Sequence, residues 1–204
     1  MQQGLVSMSG RLSARVIRAP RAPLSWRLRN TLRSSFIVGL LANKSAKALS
    51  TLTGIPTLTA ELYARLIKAD GQVINYGLLS SRLVTTAFVN YMVDELQAET
   101  TAWGDFKFHD SGVGVTAENI TDTDIETTDG ESRVTGTQVE GASANIYRSV
   151  GTIAYTTTKA ITEHGLFSIV TGGVLMDRSV FAAINVANGD SIQFTYELTC
   201  TAGG

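Results

Sequence analysis

The order of apolar and polar positions is most regular near the C-terminal end, where Ile192, Phe194, Tyr196 and Leu198 alternate with polar side chains. A period of two puts one face of an extended chain on a core and the other toward water, so this segment reads as a strand. It is expected to lie centrally in a sheet. Asn188-Gly189 just before it is the strongest two-residue hairpin signal in the chain. Residues 57–68 alternate loosely up to Asp70-Gly71, a turn, and Gln72–Leu79 returns as a second strand. Phe106 and Phe108 alternate before Asp110-Ser111-Gly112, read as a turn. Residues 133–140, 146–157 and 161–169 read as further strands, and Val174–Val186 is a long apolar strand expected to bend.

One stretch breaks this period. Leu83, Val84, Ala87, Phe88, Tyr91, Met92 and Leu96 recur at three- and four-residue steps, predicting a helix with one face on the core and Ser80 or Ser81 as its cap. Several short strands with one helix predict a mainly β fold, an antiparallel β-sandwich of jelly-roll-like form over residues 56–204. Residues 1–55 show no apolar stripe long enough for a core. Pro20 and Pro23 stop any helix begun by Arg11, Arg15 and Arg18, and Trp26–Leu41 is only weakly amphipathic. This leading segment is expected to be an extended arm that gains order from a partner.

Charge sharpens the division. The first sixty residues carry nine Lys or Arg and no acid; the rest carries eight basic and eighteen acidic residues, so the net −1 is +9 and −10 combined. A basic arm on an acidic body implies a partner of opposite charge, met through Arg11, Arg15, Arg18, Arg21, Trp26, Arg27, Arg29, Arg33 and Phe36. Protein assembly suits this mixture of Arg, Leu and Pro best. Nucleic acid is disfavoured, because the basic residues are not densely clustered and aromatics for stacking are few, Trp26 and Phe36. A membrane partner is not expected either, for want of a clean amphipathic helix. The segment is also expected to stay on the chain, since Lys44 and Lys47 follow its apolar run too closely for a secretory leader.

Five blocks carry a resemblance: Phe106–Gly112 (FKFHDSG), Tyr147–Thr152 (YRSVGT), Ala160–Phe167 (AITEHGLF), Asp177–Ala182 (DRSVFA) and Asn188–Phe194 (NGDSIQF). In this order they resemble a family of tailed-bacteriophage virion proteins, over roughly residues 83–204. The resemblance implies a β-sandwich structural protein in the virion, with no catalytic residues to transfer. The basic arm lies outside it.

Candidate chemistry is sparse. His109 and His164 each neighbour an acid, and Ser111 allows a Ser-His-Asp set to be drawn, but no nucleophile elbow is present. Structural histidines are the expectation. Asp122, Asp124, Glu126, Asp129 and Glu131 form the densest acidic run, read as a solvated loop, with a loose cation site or a docking surface for basic arms as alternatives. Trp103, Tyr147 and Tyr155 are expected to pack in a core or interface rather than form a sugar platform. Cys200 is read as an inert buried or strand-facing thiol. The expectation is a non-enzymatic virion structural protein without cofactor or metal. It would be a capsid decoration, cement or neck-associated subunit that is homo-oligomeric and bound to other virion proteins. The alternative is a tail-fibre or receptor-binding module whose residues 112–131 contact host glycans.

Overall fold

A computed structural model describes residues 19–53, 56–82, 84–97 and 105–201. Two helices come first, α1 (Leu24–Thr31) and α2 (Ser34–Thr53), then strands β1 (Thr57–Ile67) and β2 (Val73–Arg82) and helix α3 (Thr86–Leu96). Seven strands follow among the described residues: β3 (Phe108–Gly112), β4 (Val134–Thr135), β5 (Thr137–Glu140), β6 (Ile146–Ala154), β7 (Lys159–Phe167), β8 (Leu175–Val186) and β9 (Ser191–Thr201).

They form two antiparallel sheets, β2-β1-β9-β6-β5 and β4-β3-β7-β8. The alternation at the C-terminal end does what its period requires. Ile192, Phe194, Tyr196 and Leu198 point inward from β9, and across the register Leu66, Ala64, Leu62 and Ala60 of β1 meet them. β9 is the middle strand of its sheet. The opposing sheet supplies Ile161, Leu166, Met176, Phe181 and Ile184, and the two inner faces share one core.

Several local expectations are corrected. Asp110-Ser111-Gly112 is strand, not turn, because β7 pairs along it through Gly165, His164 and Glu163. Asn188-Gly189 does turn the chain, with Gly189 at φ +86°, but β8 and β9 belong to different sheets, so the turn crosses the sandwich instead of making a hairpin. Asp190 organises that corner. Its carboxylate accepts from the N–H groups of Ala187 and Ala69 and from Lys68 Nζ, tying it to the β1–β2 turn. Residues 133–140 divide at Gly136 into β4 and β5, one in each sheet, which closes that side of the sandwich. The cap of α3 is Thr85, whose hydroxyl accepts from Phe88 N–H; Ser80 and Ser81 lie in β2. Phe88 faces the core as expected, but Leu96 is exposed, and Leu83 lies outside the described residues.

The leading segment differs most from expectation. It forms the two helices α1 and α2, broken at residues 32–33, rather than an extended arm, and it packs on the edge strands β2 and β8. Pro23 stands just before α1, where a proline lacking its N–H costs nothing.

Candidate functional site

The unpaired side of the sandwich is where β2 and β8 would each leave an edge open, and both edges are irregular there. Along β2 the register with β1 slips twice, leaving Tyr76 and Leu79 without a partner residue, with Gly77 at φ +70° allowing the first slip. On β8, Phe181–Ala183 bulge opposite Thr162. α1 uses these irregularities. The Trp26 ring meets the bulged Tyr76 edge-on at 4.6 Å, and Trp26 Nε1 donates to the carbonyls of Ala182 and Ala183, both at 2.9 Å. One turn later Asn30 spans the gap: its Nδ2 donates to Leu79 O at 3.0 Å and its Oδ1 accepts from Ala182 N–H at 2.9 Å. A single amide thus serves both sheet edges, as a neighbouring strand would. Further along, Asn43 of α2 donates to Ala60 O and Ser81 Oγ. Ahead of α1, Pro20 O and Ala22 N–H bracket Asn75 of β2 as a short parallel bridge.

This fixes where the expected partner-binding residues go. Trp26 and Phe36 are buried on the protein's own body, and Arg33 is half-buried, donating to Phe181 O; burial lowers its pKa. Arg21, Arg27 and Arg29 are exposed. Arg21 and Arg27 line a cleft of ≈ 430 Å³ between α1 and β2, with Trp26, Phe36 and Tyr76 along it. Among the described residues no carboxylate pairs with these three arginines, so the cleft and its surroundings present cationic donors to any acidic group that reaches them. Arg11, Arg15 and Arg18 lie outside the described residues.

The acidic run is partly solvated, as Asp124 and Glu126 are exposed and Asp122, Asp129 and Glu131 are half-buried. Residues 113–131 fold over the outer face of the β4-β3-β7-β8 sheet and are held by two buried ions. Glu163 of β7 is fully buried and accepts from the N–H groups of Gly114, Thr127 and Glu126 and from Arg178 Nε at 2.8 Å. Arg178 of β8 also binds Asp122 at 3.0 Å and Glu126 at 3.3 Å. Burial works against the Arg178 charge, but the bonds to Glu163 and Asp122 outweigh it and its pKa rises. The guanidinium thus serves as the shared counter-ion of Glu163, Asp122 and Glu126. Among the described residues no group of three or more His, Cys, Asp or Glu side chains could hold a metal ion. At the loop's end Glu131 sits against Lys159 Nζ at 2.6 Å, which brings its pKa down to about 2.

The histidines meet each other across the sheet. His109 Nδ1 lies 2.9 Å from His164 Nε2, and His109 Nε2 lies 2.8 Å from Ser149 Oγ. All three are fully buried. Ser111 instead bonds Asp129 and Tyr155, so the imagined Ser-His-Asp set is not assembled. Tyr155 is core and Tyr147 is half-buried with its hydroxyl on Phe106 O, so they form no shared platform; Trp103 lies outside the described residues. Cys200 is exposed on β9.

Sequence reading missed Asn30, Asn43 and Arg178. A buried ion pair had one trace, an Asp-Arg doublet inside the apolar run 174–186, since a charge there must find a partner. Asparagines inside helices had no trace beyond being poor helix formers.

No helix among the described residues is long and apolar enough to cross a membrane. No protein-family model, curated protein or solved structure matches the chain.

Proposed function

We propose that the protein is a non-enzymatic structural subunit of a tailed-phage virion, a capsid decoration, cement or neck-associated component built on a jelly-roll-like sandwich. Its contacts with neighbouring subunits run through the basic helical layer at its N-terminal end. The observation that carries this reading is the orientation of α1. Trp26 and Asn30 attach the helix firmly to the sandwich, so Arg21, Arg27 and Arg29 are held outward on a rigid base, with no acidic partner among the described residues. Fixed cations of this kind give register and association rate more than raw affinity. The five blocks that resemble phage virion proteins also support it.

The expected partners are further copies of the chain and other virion proteins with acidic surfaces. The test is direct. Virions purified from lysates of cells carrying the encoding gene should contain the chain at a fixed stoichiometry, seen by mass spectrometry and by antibody-gold labelling. Arg21→Glu/Arg27→Glu/Arg29→Glu should fold normally and be depleted from them. Absence of the wild-type chain from purified virions would end this reading.

A further inference from the structure

The helical layer carries apolar side chains on its outward as well as its inward face. On α2 the residues facing the sandwich include Phe36, Asn43 and Ser50, spaced by seven along one stripe, while Ile37, Leu41 and Leu52 face outward. On α1, Leu24, Leu28 and Leu32 stand outward at four-residue steps with Arg27 and Arg29 between them; Leu32 and Leu52 are 74% and 85% exposed. Exposed leucines recurring at helical spacing beside exposed arginines mark a contact surface. Helix α3 shows the complementary arrangement. Phe88 is its buried anchor, Val89, Val93 and Leu96 stand outward at i, i+4 and i+7, and its only charged residues are Asp94 and Glu95.

We infer that the outward ridge of α1–α2 in one copy of this chain docks on α3 of a second copy. Both surfaces are ridges at three- and four-residue spacing, the geometry that packs helix on helix. Their charges are opposite: no acid lies in residues 1–60, and no base lies on α3. Two α1–α2 layers facing each other would set Arg27, Arg29 and Lys44 against their own copies. An anionic lipid surface would attract α1 but repel α3, leaving the second ridge uncovered. Nucleic acid would engage the arginines and give the leucines nothing to bury against. Of these occupants, a second copy docked α1–α2 on α3 is the one that covers both ridges with apolar area and opposite charge.

The inference rests on the reading of the protein as an assembly subunit and names one of that subunit's contacts. Sedimentation equilibrium of the full chain over a concentration series tests it. The wild type should self-associate. Leu28→Ser/Leu32→Ser and, separately, Val89→Ser/Val93→Ser should each raise the dissociation constant about ten- to hundredfold, as expected for loss of two buried apolar side chains. Arg27→Glu/Arg29→Glu and Asp94→Lys should each weaken association, and the combined variant should recover it, which a folding defect would not do. A chain that stays monomeric, or an oligomer indifferent to both ridges, overturns the contact. So does a combined charge variant that stays weak. A monomer that still enters virions would refute this contact and leave the assembly reading standing; self-association through these ridges by a chain absent from virions would do the reverse.

Discussion

His109 and His164 form a pair in which neither imidazole can accept a proton cheaply. Burial pushes His109 down to about 3, and burial together with the neighbouring His109 pushes His164 well below its ordinary value of 6.5. One consistent proton arrangement has His109 donating to Ser149 and His164 Nε2 donating to His109. His164 Nδ1, which has no partner, then carries a lone pair rather than an orphaned N–H. The close packing is enforced from the facing strand, where a Cβ on Gly151 would sit 2.5 Å from His109 Cδ2. A base whose folded pKa is depressed gains its proton on unfolding. Its contribution is therefore complete above 6.5 and is lost as the pH falls from there toward about 3. Stability to urea should drop between pH 6.5 and 5, above the range where most carboxylates protonate, by up to about 1.4 kcal/mol per pH unit for each histidine. His164→Phe should halve that slope. A flat profile across this window would contradict the assignment.

At the scale of elements, two attachments hold segments that have little core of their own. The 113–131 loop depends on Arg178. Arg178→Met keeps much of the side-chain volume but leaves the fully buried Glu163 without its counter-ion, a loss of about 3–5 kcal/mol for a broken buried pair. Chemical denaturation should show that loss, and limited proteolysis should cut first within the loop. The helical layer depends on Trp26, which belongs to the main core cluster and donates by its indole to two carbonyls of the β8 bulge. Trp26→Ala should cost about 3–5 kcal/mol. Hydrogen exchange should show α1 losing protection before β1 and β9. Equal protection of α1 in that variant would mean that Asn30 and Asn43 suffice.

The whole molecule is a sandwich whose two open sides are closed by different means. One side is closed by chain passage, as β4 continues into β5 through Gly136 and changes sheet. The other is closed by α1 and α2 lying over β2 and β8, with Asn30 bonding both edges. Exposed edges invite pairing with other chains. A chain beginning at Thr57 should therefore expose both edges and aggregate, where a detachable arm would have left a well-behaved domain. Size-exclusion chromatography with light scattering distinguishes these outcomes.

What could be read from residue order was whatever depends on neighbours close in the chain. The strand period at Ile192–Leu198, the turn at Asp70-Gly71, the helix around Phe88 and the segregation of charge at residue 60 are all local patterns. From them the mainly β, two-sheet architecture and the central place of the last strand followed. The rest depended on contacts between distant residues. Asn30 gives no sign that its amide will meet Leu79 and Ala182, because those partners come together only when two bulged edges face each other. For the same reason Trp26–Leu41 looked only weakly amphipathic: its inward face is partly polar, and Leu28, Leu32 and Leu41 are exposed. Asp122 and Glu126 gave no sign that Arg178 of β8 would pair with them, although Glu126 stays exposed as read. Short-range periodicity sets which segments are strand or helix, whereas burial of polar groups is settled by partners that folding brings from elsewhere in the chain.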